Sequence, residues 1–520
     1  MSKRKHAIEA FFQTGVGLHR SGRLADAEKI YHQVLAAAPG HADSLHMLGV
    51  LASQAGQPET ALSWIDRAIA LRPSAAIFHV NRAASLLALR QLDAAQRACH
   101  DALRVKRNCA EASQVLGHVL SRQDRPEEAV AAYREAMRRQ PDLPGLHNDI
   151  ALALRQANQL EEAESALRQA LRRTPEDGQV QSNLAGVLKE LGRLDEAETC
   201  YREALRRRPD DAALHFNLAL VLLLAGRFSE GWEEYEWRFR AGAVALRPYP
   251  KPRWDGEALA GRTLLVRAEQ GLGNTIQFSR YLAIAAAAGR VVLEVQPALR
   301  RLLGQSFRNN ELVTPDDVPA GIDCYCPMLS LPRLLAMQPP QPPYLTAEPD
   351  RVRLWQARLG THGRKIGIAW QGNPQSAAEH GRSIPVQEFL GLAKLPSVRL
   401  INLQKQNGIE QLAVVPAASA IETPNEPFDD GPDAFIDTAA IMQCLDLVIT
   451  SDTSIAHLAG ALGRPVWVGL QHVPDWRWLL HGEECRWYPT MRLFRQTRRG
   501  DWAGVFAQMA ARLAGEGSAP

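Results

Sequence analysis

Long apolar runs are missing: no stretch of about 18 uninterrupted apolar residues occurs in the chain, so a membrane-spanning helix is not expected. Charge of one sign is missing too. Against 57 Asp and Glu stand 60 Lys and Arg, a formal net charge of +3, and nothing global points to nucleic acid or an anionic surface. Cysteine is scarce and odd in number, seven in all, which favours a reducing compartment, the cytoplasm. Cys324 and Cys326 are the one close pair; no second pair stands at zinc spacing, so both read as packing residues and no metal is expected. The start, Met1-Ser2-Lys3-Arg4-Lys5-His6, is basic but lacks a following apolar core or small-residue cleavage site, so a secretory leader is not expected. Aromatic residues are few, 6% of the chain, yet eight of the 11 tryptophans lie at or after Trp254. The two halves are built differently.

What is present is a repeat. Ala27, Ala61, Ala95, Ala129, Ala163 and Ala197 recur every 34 residues, with Gly231 in the next slot. Four residues after each comes a larger side chain: Tyr31, Ile65, Cys99, Tyr133, Leu167, Tyr201 and Tyr235. That spacing puts the small and the large residue on one helical face, where the small one lets a neighbouring helix approach. Pro39, Pro73, Pro141, Pro175 and Pro209 keep the period and stop the second helix of each unit. Gly22-Arg23, Gly192-Arg193 and Gly226-Arg227 supply the turns between helices. Residues 8–240 resemble the tetratricopeptide-repeat family, with about seven repeats stacked into an α/α superhelix. The resemblance implies a groove that binds a protein or peptide. Asn148, Asn183 and Asn217 recur on first helices and suit an extended backbone; the plainer alternative is that they face solvent or cap a turn.

From Arg247 to Trp254 the period ends in a proline-stiffened linker. Short β-rich runs then alternate with helical stretches. Strands are expected at 263–267, 291–295, 365–370, 398–403, 447–450 and 465–470, with helices at 277–288 and 454–462 between them. Such alternation predicts α/β structure with parallel sheets. The proline-rich stretch 338–349 divides it into two Rossmann-like lobes facing a cleft. The expected boundaries are a tail at 1–7, repeats at 8–246, linkers at 247–262 and 341–362, and lobes at 263–340 and 363–515.

Ligands of such sheets bind beyond the carboxyl ends of strands. One loop there is Glu269-Gln270-Gly271-Leu272-Gly273-Asn274, whose glycines let a backbone approach a ligand or let a helix pack on a strand. A second is Asp452-Thr453-Ser454, before a helix whose amino end suits a diphosphate. Asp452 also reads as a helix cap, and His457, one turn in, as a core histidine.

The run from Asp452 to Val466, Asp-Thr-Ser-Ile-Ala-His-Leu-Ala-Gly-Ala-Leu-Gly-Arg-Pro-Val, resembles the donor-site signature of the ADP-heptose:lipopolysaccharide heptosyltransferase group, glycosyltransferase family nine. The Gly271–Asn274 turn is similar to that group's amino-terminal motif. Trp476-Arg477-Trp478 and the run from Trp487 to Gln496 resemble a subgroup in which tetratricopeptide repeats precede such a domain, a layout shared with bacterial flagellin glycosyltransferases and O-GlcNAc transferases. The resemblance implies a GT-B fold and a metal-independent, inverting transferase that uses a nucleotide-sugar as co-substrate and no cofactor. It implies that Gly271, Gly273, Asp452, Thr453, Ser454 and His457 surround the donor, with Arg382, Gln404 and Lys405 lining the same cleft and Asp437 and Thr438 near the ribose or base.

One position departs from that pattern. Relatives carry Asp where this chain has Asn274, and a neutral amide does not take up a proton near pH 7. Three readings stay open: Glu269 supplies the base, the acceptor needs little activation and Asn274 only orients it, or the domain binds a nucleotide-sugar without turning it over. The last makes the protein a repeat scaffold with a degenerate nucleotide-sugar domain.

Overall fold

The computed structural model describes residues 2–245, 247–335, 341–375, 381–414, 420–424 and 426–516. The chain forms two compact units, Met1–Cys200 and Tyr201–Pro520.

The first unit is an array of antiparallel helix pairs, from Ser2–Arg20 with Leu24–Ala37 to Leu160–Arg173 and Gly178–Glu190. Every small residue of the 34-residue series, Ala27 to Ala197, is fully buried, and the larger partners Tyr31, Ile65, Cys99 and Leu167 are buried beside them. The helices approach closely enough that a Cβ added at Gly117 would lie 2.5 Å from the Tyr133 ring, and one at Gly49 2.5 Å from Ile65. The expected tail is instead the first turns of the opening helix, which starts at Ser2. Its residues are mostly good helix formers, and Ile8 packs on the Phe12–Tyr31 cluster.

The inter-helix turn needs a left-handed residue once per repeat. Gly22, Gly56, Gly192 and Gly226 fill that slot with φ between 72° and 79°, and Arg90, Asp124 and Asn158 fill it at 58° to 59°. A Cβ is unfavourable there. Arg90 is exposed, so Arg90→Gly is expected to raise stability by about 0.5–1 kcal/mol, measured as a higher urea midpoint at unchanged slope. A lower midpoint would contradict it.

The second unit begins inside a repeat helix, earlier than the expected boundary at 246. The reason is packing. Trp232 meets Phe278 and Trp476 edge-on with centroids 5.9 and 5.2 Å apart, and the Arg238 side chain is enclosed against Glu269. The proline-stiffened linker is docked at its end: Arg253 bridges to Tyr325 in parallel, Trp254 N–H donates to the Tyr325 carbonyl at 2.8 Å, and Trp254 is buried.

Two all-parallel sheets follow. The first holds β1 (Thr263–Arg267), β2 (Arg290–Glu294), β3 (Glu311–Val313) and β4 (Cys324–Pro327) in the order β3-β2-β1-β4. The second holds β5 (Arg364–Ala369), β6 (Val398–Asn402), β7 (Ile421–Glu422), β8 (Leu447–Ser451), β9 (Val466–Leu470) and β10 (Met491–Arg495) in the order β10-β9-β8-β5-β6-β7. β1, β8 and β9 are buried along their whole length, as parallel strands covered on both faces must be. Cys324 and Cys326 are buried within β4. The stretch expected as an interlobe linker carries a helix, Pro349–Leu359, and residues 336–340 before it lie outside the described set. The helix expected at 277–288 is broken into Leu272–Phe278, a tight turn at Ser279–Tyr281, and Leu282–Ala288. No helix among the described residues is long and apolar enough to cross a membrane.

Candidate functional site

In the second sheet the chain runs outward from β5 to β7 and then returns to place β8 on the other side of β5. The connections that follow β5 and β8 therefore leave the sheet in opposite directions, a switch point of the kind at which ligands of such sheets bind. β8 ends at Ser451, and Asp452-Thr453 lead directly into the helix Ser454–Ala461. No side chain caps that helix, so its first amides keep their hydrogen-bonding capacity. Asp452, Thr453 and Ser454 are half-buried. Asp452 is thus not a cap. Burial, with the Asp475 carboxylate beside it, pushes Asp452 up to about 6, while Arg382, the Trp478 indole and Arg477 pull the other way. Arg382 is near enough to bias His457 as well, so the structure brings Arg382, Asp452 and His457 together as the sequence suggested.

Against this helix lies the turn after β1. A Cβ on Gly273 would stand 3.1 Å from His457 Cδ2 and 3.3 Å from Ser454 Cα, so this glycine exists for close packing of the Leu272–Phe278 helix. Gly271 has open space around it and an ordinary φ of −80°. The left-handed residue of the turn is Gln270, at φ 63°.

Asn274 is held between two partners. Its Nδ2 donates to Gln270 Oε1 at 3.0 Å and its Oδ1 accepts from Arg477 Nη2 at 2.6 Å. Arg477 is buried, donates Nε to Gln277 Oε1 at 2.8 Å and Nη1 to Asp475 Oδ1 at 2.7 Å, and lies 4.1 Å over the Trp476 ring. One guanidinium therefore ties the first sheet's turn to the segment after β9.

Several expected site residues are committed elsewhere. Glu269 is not an available base: Arg238 grips both its oxygens, Nε at 3.0 Å and Nη2 at 2.8 Å, and Leu329 N–H donates to it at 2.9 Å. Gln404 is buried and accepts from the Trp370 and Gln371 amides at 2.8 and 3.0 Å while donating to carbonyls of Gln371 and Asn407. It pins the loop after β5 rather than lining a cleft. Lys405 pairs with Asp430 at 2.8 Å and caps the Phe428 carbonyl. Asp437 accepts from the Trp355 indole at 2.8 Å, and the Asp437 and Thr438 amides both donate to Asp429. Asp429 thus caps their helix, and neither residue is presented to a ribose. His457 is buried, its Nδ1 3.1 Å from Tyr488 Oη and its ring stacked on Trp478 at 5.3 Å. Burial, reinforced by Arg477, Arg280 and Arg382, holds it well below the usual histidine range, so it is neutral and offers an anion no charge.

Arg477, Asp475 and Trp478 were missed as site residues. The signal was present in Asp475-Trp476-Arg477-Trp478, a cation between two indoles, a pattern that favours a desolvated guanidinium. A cavity of about 350 Å³ opens at the carboxyl ends of β1, β2 and β4, lined among others by Phe239, Arg247, Arg267, Gln270, Glu294 and Tyr325. Glu294 bridges the two arginines, accepting from Arg267 Nε at 3.0 Å.

In the repeats, Asn183 Nδ2 donates to Asn148 Oδ1 at 2.7 Å, and Gln179 donates to Asn183 Oδ1 at 3.3 Å. The ladder is therefore partly satisfied internally. Similar cross-repeat bonds join His46 to Asn81 at 2.6 Å and Gln114 to Asp149 at 2.7 Å. Asn217 lies half-buried on Ala212–Leu224 in the second unit.

Residues 7–217 match the family described as the cilia and flagella-associated protein 70 C-terminal domain. Protein FlbA of Caulobacter vibrioides is 28% identical over 314 residues, 55% of this chain and 52% of that protein. The chain spans about half the length of that curated relative. Among solved structures, PilF of Pseudomonas aeruginosa is 18% identical with a TM-score of 0.36, covering 40% of this chain and 95% of that one. A thermophilic tetratricopeptide-repeat protein of Thermus thermophilus is 27% identical with a TM-score of 0.31, over 35% and 99% of the two chains. The helical array is a tetratricopeptide-repeat scaffold, followed by a region of parallel sheets.

Proposed function

We propose that the protein is a glycosyltransferase that moves a sugar from a nucleotide-sugar donor to a protein or peptide acceptor recruited by its repeats. The observation that carries this reading is the uncapped start of the Ser454–Ala461 helix at the β5/β8 switch point, with Arg382 beside it. Free amides and a helix dipole suit a diphosphate, and a guanidinium next to them stabilises the charge that develops as it departs. In this reading the two sheets are the lobes of a GT-B fold and the donor's phosphates lie at Thr453 and Ser454. Transfer is inverting and needs positioning of the acceptor more than covalent help. The test is incubation of the full chain with UDP-, GDP-, ADP- and CMP-sugars, following nucleotide release. Release from one donor class supports the reading; no release from any, by folded protein, contradicts it.

A second reading keeps the repeats as a scaffold and the second unit as a non-catalytic nucleotide-sugar domain. It is favoured by one observation: the turn after β1 has no free carboxylate, since Asn274 is neutral and Glu269 is locked by Arg238. Donor binding without turnover is its expected result.

A further inference from the structure

We propose that the cavity at the carboxyl ends of β1, β2 and β4 is a binding site for a small carboxylic acid with a flat, apolar body, a site separate from the start of the Ser454–Ala461 helix and independent of the transferase reading. Its place in the fold is the first observation. The first sheet runs outward from β1 through β2 to β3 and then returns to set β4 on the other side of β1. β1 and β4 therefore flank a switch point of their own, where ligands of parallel sheets bind. The cavity, about 350 Å³, sits there and is lined by residues between Phe239 and Pro327. That volume lies at the small end of the range of about 300–1,000 Å³ found for small-molecule pockets.

The second observation is a pair of unspent donors. Arg267 and Tyr325 both line the cavity, and each is only 8% exposed. Arg267 ends β1 opposite Glu294 at the end of β2. Its Nε donates to Glu294 at 3.0 Å and its Nη1 to the Arg247 carbonyl at 2.8 Å, and its Cζ lies 5.2 and 5.8 Å from the Tyr249 and Tyr325 ring centres. Those contacts fix the fork, yet Nη2 has no hydrogen-bond partner among the described residues, and the Tyr325 hydroxyl has none there either. A buried donor left unmade is costly, and two of them on one cavity suit an acceptor with two oxygens.

The third is charge. Arg267 and Arg247 share the single carboxylate of Glu294. The other acidic lining residue, Glu269, is held by Arg238. One positive charge is left over, which one carboxylate matches; a phosphate dianion would set a surplus negative charge beside Glu294. Phe239, Val295 and Pro327 complete the wall with apolar surface that suits a flat body.

The test uses the full chain with four probes: benzoate, its uncharged counterpart benzamide, the dianion phenyl phosphate, and the blocked peptide acetyl-Ala-Glu-Ala-amide as a polypeptide carboxylate. Thermal shift and titration calorimetry read binding. Benzoate is expected to raise the melting temperature and to bind with a Kd of about 1 mM or tighter, at least about tenfold tighter than each of the others. Two variants spare the Arg267–Glu294 pair. Tyr325→Phe removes a hydroxyl that no described residue uses, so it is expected to keep the wild-type urea midpoint while weakening benzoate about fivefold to tenfold. Arg247→Ala, at a side chain 47% exposed, removes the surplus charge and is expected to abolish the preference for benzoate over benzamide. No benzoate binding at about 20 mM, benzamide binding as tightly, or wild-type behaviour of either variant would overturn the site. Tighter binding of phenyl phosphate would overturn the match to a single negative charge. Tighter binding of the peptide would overturn the small-acid assignment and give the carboxylate to an acidic side chain of a polypeptide.

Discussion

Arg238→Ala is expected to destabilise the second unit by about 3–5 kcal/mol, read as a drop in urea midpoint followed by tryptophan fluorescence. Arg238 is fully buried and spends its whole guanidinium on protein partners. Beside Glu269, it donates Nη1 to Glu236 at 3.0 Å and to the Tyr235 carbonyl at 3.2 Å, and Nη2 to Ser330 Oγ at 2.9 Å. Truncation strands the Glu269 carboxylate, 8% exposed, without a counter-charge. Replacing both partners, Arg238→Met with Glu269→Gln, is expected to recover part of the loss, since Glu269 is then neutral and Glu236 keeps Arg253 as a counter-charge. The network also has a pH signature. Burial alone would raise Glu236, but Arg238 and Arg253 outweigh it and hold the carboxyl below its usual range. A depressed carboxylate contributes stability above its unfolded value and loses it as pH falls through its folded value, so this part fails only in acid below the ordinary glutamate range. A loss under about 1 kcal/mol for Arg238→Ala would contradict the account.

Arg477→Met is expected to cost about 2–4 kcal/mol and Arg477→Lys nearly as much. The side chain reaches Asn274, Gln277 and Asp475 from three different nitrogens, and an ammonium has no planar fork to do so. Asp475 is 34% exposed and regains water when abandoned, which places the cost below that of Arg238→Ala. The check is calorimetric unfolding of both variants. A lysine variant as stable as wild type would show that charge alone, and not the fork, is what the site uses.

Much of the fold was legible because its physics is local. The small-residue series and its partners fix helix pairing within each repeat, and the structure buries them as the spacing demands. Six strands were expected within a residue or so of their observed bounds, since continuous apolar runs flanked by turn residues leave little choice. β3, β4, β7 and β10 were not expected: they are short or, as in Met491–Arg495, interrupted by arginines, of which Arg495 turns its guanidinium onto the Gly482 and Trp478 carbonyls. Trp232 and Arg238 meet partners far along the chain, which no periodicity encodes.

The candidate site was legible to the same degree. The Asp452–Ser454 loop and Arg382 converge because strand ends in a parallel sheet bring loops together. Gln404, Asp437 and Thr438 stand at equally suitable positions, yet their polar atoms are consumed by Trp370, Trp355 and Asp429. A sequence shows that a polar residue ends a strand; it does not show which backbone group will claim it.

The central claim is that a diphosphate binds where the Ser454–Ala461 helix begins. Isothermal titration of the full chain with UDP, GDP, ADP and CDP tests it without an acceptor or a sugar. The account predicts that at least one binds with a Kd of about 1–100 μM and that Arg382→Ala weakens it at least about tenfold, the worth of one charge-assisted hydrogen bond. Failure of all four to bind at millimolar concentration, or binding that Arg382→Ala leaves untouched, would contradict it.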